Sequence, residues 1–161
     1  MTTEQYNECV ELHADGVYRF ILHNLRDSEV ARDVVQDAFE KMWMNVGNIN
    51  SKKSKSYLFT TAYHTMLDRI RRGKKQGNWD EVREQDYSHT SEIAGLKEVL
   101  REALNRLPEI QRTVIMLRDY EGYSYEEIGE ITSLNESQVK VYIYRARLAL
   151  KTYIGKIENV I

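Results

Sequence analysis

Three groups of side chains in this 161-residue chain have the types and spacing for binding chemistry. The first is "KKSKSYLFTTAYHTMLDRIRRGKK", residues 52–75, where Lys52, Lys53, Lys55, Arg69, Arg71 and Arg72 are interleaved with Tyr57, Phe59 and Tyr63. Cations neutralise phosphates, and aromatic faces stack on unpaired bases at about 1–3 kcal/mol each. Core packing can claim some of these rings too. The second group is "SLNESQVKVYIYRARLAL", 133–150, where Ser137, Gln138 and Lys140 are short or medium side chains able to reach base edges. Farther along, Arg145, Arg147 and Lys151 suit phosphates. The third is an acidic stripe: Asp33, Gln36, Asp37 and Glu40 at i, i+3, i+4 and i+7 share one helix face, which by itself reads as a solvated surface.

None of these groups makes or breaks bonds. The chain contains no phosphate-cradling P-loop and no dinucleotide fingerprint. Cys9 with His13, and His64 with Asp68, share i, i+4 spacing, but two ligands do not make a metal site. The expectation is a binding protein with no catalytic residues, metal or cofactor.

Charge is partitioned in a way that suits nucleic acid. The formal net charge is −2, yet residues 51–75 hold eight Lys/Arg against one Asp/Glu, and residues 135–161 hold five against two. Acidic stretches offset them: residues 1–50 hold four Lys/Arg against nine Asp/Glu. Two separate basic islands argue for a nucleic-acid partner where the net charge alone does not.

The elements that must position these residues read as all-helical. One proline and 8 glycines leave little punctuation, apolar residues recur at three and four, and no sustained strand alternation is present. Helices are expected over about 3–25, 28–46, 54–73 and 91–106. Another should open at Pro108 and close before Gly122. Two start signals follow: Ser124 with Glu127, and Asn135 with Gln138, each placed as a capping box. Hydrophobic staples, Tyr123 with Ile128 and Leu134 with Val139, accompany them. Helices should therefore begin near 125 and 136, joined by the turn "TSLN", the second with a buried stripe of Val139, Ile143, Ala146, Leu150 and Ile154. This is the plan of a helix-turn-helix, whose second helix enters the major groove by its N-terminal part. The polar, glycine-containing segment "GKKQGNWDEVREQDYSHTSEI" reads as a flexible linker. Two small helical domains result, 1–75 and 92–161, joined by 76–91, the C-terminal one a helix-turn-helix. A lone Cys9 and the lack of a leader or a long apolar run point to a soluble, cytoplasmic protein with no membrane insertion.

At this point the chain resembles a known family. "EVARDVVQDAFEKMW" resembles the signature with which bacterial sigma factors bind the clamp helices of RNA polymerase, its Asp33, Gln36, Asp37, Phe39 and Trp43 falling on D-x-x-Q-[ED]-x-F-x-x-x-W. "SYLFTTAYHTMLDRIRR" is similar to the promoter-melting helix that follows, with Tyr57 at the usual Trp and His64, preceded by Tyr63, at the usual Asn near the flipped base. The segment from Leu107 to Leu150 resembles the domain that reads the minus-thirty-five element. Two domains with a short linker point to the extracytoplasmic-function (ECF) group.

The resemblance implies roles. Asp33, Gln36, Asp37 and Glu40 would dock on core RNA polymerase. Loop 49–56 and helix 57–72, with Lys52, Lys53, Lys55, Tyr57, Tyr63, His64, Arg69, Arg71 and Arg72, would hold the single non-template strand of the minus-ten element. Ser137, Gln138, Lys140, Val141, Tyr142, Arg145 and Arg147 would engage the minus-thirty-five duplex. An anti-sigma protein is a further implied partner. Rival readings are a stand-alone helix-turn-helix regulator, an enzyme, and a helical adaptor that binds no DNA. The regulator leaves the first basic island and the 33–43 signature unexplained, and the adaptor requires both islands to be accidental.

Overall fold

The computed structural model describes residues 1–76 and 95–160. The chain divides into two compact units, Met1–Tyr87 and Ser88–Ile161. Every regular element among the described residues is helical. The expected linker, apart from Gln76, and the expected helix start at Ser91 lie outside the described residues.

The N-terminal unit contains α1 (Thr3–Leu25), α2 (Ser28–Met44) and α3 (Ser54–Gln76). Thr2 opens α1 through a capping box with Gln5, and Arg26 ends it in the left-handed region at φ 58°. Asp27 then caps α2 by accepting from the N–H groups of Glu29 and Val30, so two residues reverse the chain. The apolar stripes of all three helices meet in one core. Val17, Phe20 and Ile21 of α1, Val34, Ala38 and Met42 of α2, and Leu58, Phe59, Ala62 and Met66 of α3 are all fully buried. Each large side chain there contributes about 1.5–3 kcal/mol. Asn45 leaves helical geometry and ends α2 two residues before the expected 46. Two short 3-10 turns, Val46–Asn48 and Ser51–Lys53, lead into α3.

The C-terminal unit contains α4 (Gly95–Asn105), α5 (Glu109–Ile115), α6 (Tyr125–Thr132) and α7 (Glu136–Val160). Where the sequence predicts one regular helix up to Gly122, α5 passes into a π-helical turn, Met116–Tyr120. Residues Arg112 to Leu117 are all buried, six in succession. A regular surface helix buries only a stripe; this segment is central, and the wider turn re-aims the side chains that follow it. Gly122, at φ 76°, lets the Tyr123 N–H reach back to the Leu117 carbonyl at 3.0 Å. Among the described residues, no helix is long and apolar enough to cross a membrane.

Candidate protein- and DNA-binding surfaces

On α2 the buried stripe fixes which side chains face outward. Ala31, Val34, Val35, Ala38 and Met42 are buried, leaving Asp33, Gln36 and Glu40 exposed. Asp37 departs from the single acidic stripe by leaning toward α3, where it pairs with Arg69 at 3.6 Å. Both side chains stay part-exposed, so the pair is worth at most about 1 kcal/mol. Beside it, the Lys41 ammonium donates to Thr65 Oγ1 at 3.0 Å, a second tie between α2 and α3.

Gln36 and Glu40 instead border an open groove of about 740 Å³, shared with Tyr6, Tyr18, Phe39 and Trp43. Trp43 is 45 % exposed, and its ring meets that of Tyr6 at 5.0 Å. The Tyr6 hydroxyl donates to the Phe39 carbonyl at 3.0 Å. Burial pushes the Tyr6 phenol above its ordinary range, with nearby Cys9 and Glu40 adding to the effect. The surface thus joins apolar rings to an acidic rim. Composition of this kind suits a protein partner better than a nucleic acid.

The first basic island is divided by burial. Phe59 and Tyr63 are 0 % and 4 % exposed and pack on Phe20 at 5.6 and 6.3 Å, so they belong to the core. Neither presents a stacking face to a base, contrary to the reading of the interleaved rings as base platforms. Three-to-four spacing places them on the same stripe as Leu58, Ala62 and Met66, and core formation takes precedence. Tyr57 is half-buried and its hydroxyl accepts from Asn45 Nδ2 at 2.8 Å. Lys52 and Lys53 are exposed on the turn, and Lys55 lies 5.8 Å over the Phe59 ring. Along α3, His64, Asp68, Arg71 and Arg72 share the exposed face, with His64 beside Tyr63 at 6.0 Å. Arg71 pairs with Asp68 at 3.3 Å.

The helix-turn-helix is assembled by its caps. Ser124 and Glu127 exchange bonds of 3.1 and 2.9 Å, and Asn135 and Gln138 exchange bonds of 2.8 and 3.0 Å. Ser133 takes the left-handed turn at φ 62°. Thr132, expected in the turn, is instead the last residue of α6, its hydroxyl donating to the Ile128 carbonyl at 2.6 Å. Val139, Ile143 and Ala146 of α7 are buried, while Leu150 and Ile154 are only half-covered. Ser137, Gln138, Lys140, Val141 and Arg145 face solvent, and Tyr142 is half-buried.

Arg147 is engaged already. Its guanidinium donates to Asp119 on the π-helical turn at 2.7 Å, and that bond raises its pKa further above the ordinary arginine value. Lys140 lies 3.7 Å from Glu136 and 5.9 Å over the Tyr125 ring. Arg118 stacks on the same ring at 4.7 Å and donates to the Tyr123 carbonyl at 2.8 Å. Sequence reasoning missed Asp119, Arg118 and Tyr125 because no periodicity links them to α7. It missed Asn45 because its side chain acts across a turn.

Comparison with known proteins identifies the family. Residues 9–76 match Sigma-70 region 2, and residues 97–150 match Sigma-70 region 4. The ECF RNA polymerase sigma factor SigM of Bacillus subtilis is 28 % identical over 158 residues, covering 93 % of this chain and 95 % of that protein. RNA polymerase sigma factor SigV of the same organism is 30 % identical over 149 residues, covering 92 % and 90 %. Among solved structures, the sigma factor RpoE in complex with the anti-sigma factor NepR from Bartonella quintana has a TM-score of 0.79 at 23 % identity, covering 95 % of this chain and 98 % of that one. CnrH in complex with the cytosolic domain of CnrY has a TM-score of 0.70 at 20 % identity, over 96 % and 90 %. These two likenesses show the fold. With both regions matched in order and full-length relatives at this identity, the chain belongs to the ECF group of RNA polymerase sigma factors, which direct RNA polymerase to promoters.

Proposed function

We propose that residues 1–75 bind core RNA polymerase and open the minus-ten element, while residues 92–161 read the minus-thirty-five duplex. Asp33, Gln36, Asp37 and Glu40 hold the polymerase, with the rings of the neighbouring groove as apolar support. Lys52, Lys53, Lys55, Arg69, Arg71 and Arg72 line the path of the freed strand. His64 meets its bases, Tyr63 supports His64 from the core, and Tyr57 fixes the loop. Extruding a base costs a few kcal/mol, which contacts to the freed strand offset. The protein performs no bond chemistry, needs no cofactor, and acts in the cytoplasm. An anti-sigma protein is a further partner, a reading supported by the two solved relatives, both in complexes, one with an anti-sigma factor.

The observation that carries the proposal is the division of α7 into two faces. Val139 and Ile143 are buried while Ser137, Gln138, Lys140 and Val141 are exposed at the helix start, the part that a helix-turn-helix inserts into the major groove. Run-off transcription with core polymerase on a genomic promoter library tests it. Discrete starts that depend on the protein are expected. Arg71→Glu with Arg72→Glu should abolish promoter opening and leave polymerase binding intact. A protein that binds and opens promoter DNA as well without polymerase as with it would overturn the reading.

A further inference from the structure

The Gln138 side chain is half committed before any DNA arrives. Its backbone N–H donates to Asn135 Oδ1 at 2.8 Å, and its own Oε1 accepts from the Asn135 backbone N–H at 3.0 Å. A backbone N–H is satisfied only by an acceptor, so the amide oxygen, and not the NH2 group, must face the cap. That bond satisfies one of the helix-start donors that have no intrahelical partner. Oxygen and nitrogen branch from Cδ on opposite sides, so holding the oxygen at the cap turns the NH2 away from it. The residue is exposed. What it offers outward is therefore a donor.

An unconstrained glutamine recognises adenine with both ends of its amide, accepting from N6 and donating to N7. With the capping box closed, one of the two lone pairs of Oε1 is already spent and the oxygen is held at the cap, which disfavours the two-point contact. Its NH2 matches base edges rich in acceptors, guanine O6 and N7 above all, and meets the N4 donor of cytosine unfavourably. Lys140, the next exposed side chain with a polar head, is also a donor without an acceptor.

We propose that Gln138 is a specificity residue that reads the minus-thirty-five element as a donor only, selecting guanine and forgoing the two-point adenine contact. This rests on the assignment of α7 to the minus-thirty-five duplex made above.

The test is transcription by reconstituted holoenzyme from promoters randomised across the minus-thirty-five element, with wild type, Gln138→Ala and Gln138→Glu. Glutamate keeps an oxygen for the cap, where it is a standard capping-box residue, and replaces the outward donor with an acceptor. At the position whose preference relaxes in Gln138→Ala, the wild type should favour guanine over adenine by on the order of tenfold. Gln138→Glu should reject guanine by a similar factor and move toward cytosine, while its thermal midpoint equals or exceeds that of the wild type. Adenine enriched by the wild type at that position overturns the proposal, and so does an unchanged preference in both variants. If Gln138→Ala folds poorly, Gln138→Glu, which keeps the cap, identifies the position by its own change of preference. A wild-type holoenzyme with no discrete starts would instead sink the underlying sigma-factor assignment, and the proposal with it.

Discussion

The Tyr57 hydroxyl is one end of a relay. Asn48 Nδ2 donates to Asn45 Oδ1 at 2.9 Å, and Asn45 Nδ2 donates to Tyr57 at 2.8 Å. Three side chains thereby join the end of α2, the first 3-10 turn and the first turn of α3. Tyr57→Phe keeps the ring and deletes only the acceptor, leaving the part-buried Asn45 amide short of a partner. The expected cost is about 1 kcal/mol, or a fall of roughly 4–8 °C in the midpoint of a domain of this size, read by calorimetry. Promoter opening, followed by permanganate reactivity of minus-ten thymines, should fall while protection of the minus-thirty-five duplex stays unchanged. Cys9 gives a pH prediction at the same scale. It is 3 % exposed, and burial raises its thiol pKa, an effect the Ser54 hydroxyl partly reverses. Above the ordinary value of 9.0 the unfolded chain releases this proton before the folded one. The contribution of Cys9 to stability is therefore full below pH 9 and is lost as pH rises through the shifted range. Urea midpoints measured across alkaline pH should fall, and Cys9→Ala should flatten part of that fall, with Tyr6→Phe flattening more of it at still higher pH.

At the scale of elements, two glycines of the C-terminal unit predict opposite outcomes. A Cβ on Gly129 would lie 2.6 Å from the Leu134 carbonyl oxygen, the backbone of the turn between α6 and α7. The Leu134 N–H also bonds to the Gly129 carbonyl at 3.0 Å, so the turn cannot simply move aside. Gly129→Ala should cost about 1–3 kcal/mol and reduce minus-thirty-five binding, because the angle of α7 depends on this approach. Gly155, inside α7, has nothing within 4 Å of an added Cβ. Gly155→Ala should stabilise by up to about 1 kcal/mol through helix propensity alone. Thermal unfolding of the two variants side by side separates close packing from propensity. These elements were also what the sequence made most legible. Both capping boxes and the Val139–Ile143–Ala146 stripe are local signals, written at spacings of three or four residues, and the helices begin where the capping boxes place them. The π-helical turn was not legible. It answers to the burial of Arg112 to Leu117 by the rest of its unit, a tertiary demand that overrides local propensity. Phe59 and Tyr63 failed as base platforms for the same reason, since interleaving with charge looks alike whether a ring faces the core or a strand.

At the scale of the whole molecule, the cation count overstates what is available to DNA. Arg69 faces Asp37, Arg71 faces Asp68, Lys140 faces Glu136 and Arg147 faces Asp119, at 2.7 to 3.7 Å. Phosphate must compete with each carboxylate, and every pair is exposed enough for the competition to be close. The free chain should accordingly bind DNA more weakly than its two basic islands suggest. Polymerase would supply the remainder by holding both units on one promoter. Neutralising two of the carboxylates, Asp68→Asn and Asp119→Asn, leaves the fold's apolar core untouched and removes the intramolecular rivals of Arg71 and Arg147. Each released pair is worth about 0.2–1 kcal/mol, so the double variant should bind duplex DNA on the order of twofold to thirtyfold more tightly at low salt. Because more counterions are then displaced, log affinity against log salt should also become steeper, and the advantage should vanish as salt rises. Fluorescence anisotropy of a labelled duplex, titrated with the full-length chain over a salt series, reads both quantities. An unchanged slope with unchanged affinity would mean that these carboxylates do not restrain the basic islands, and that the free chain's DNA binding is limited by something other than its own acids.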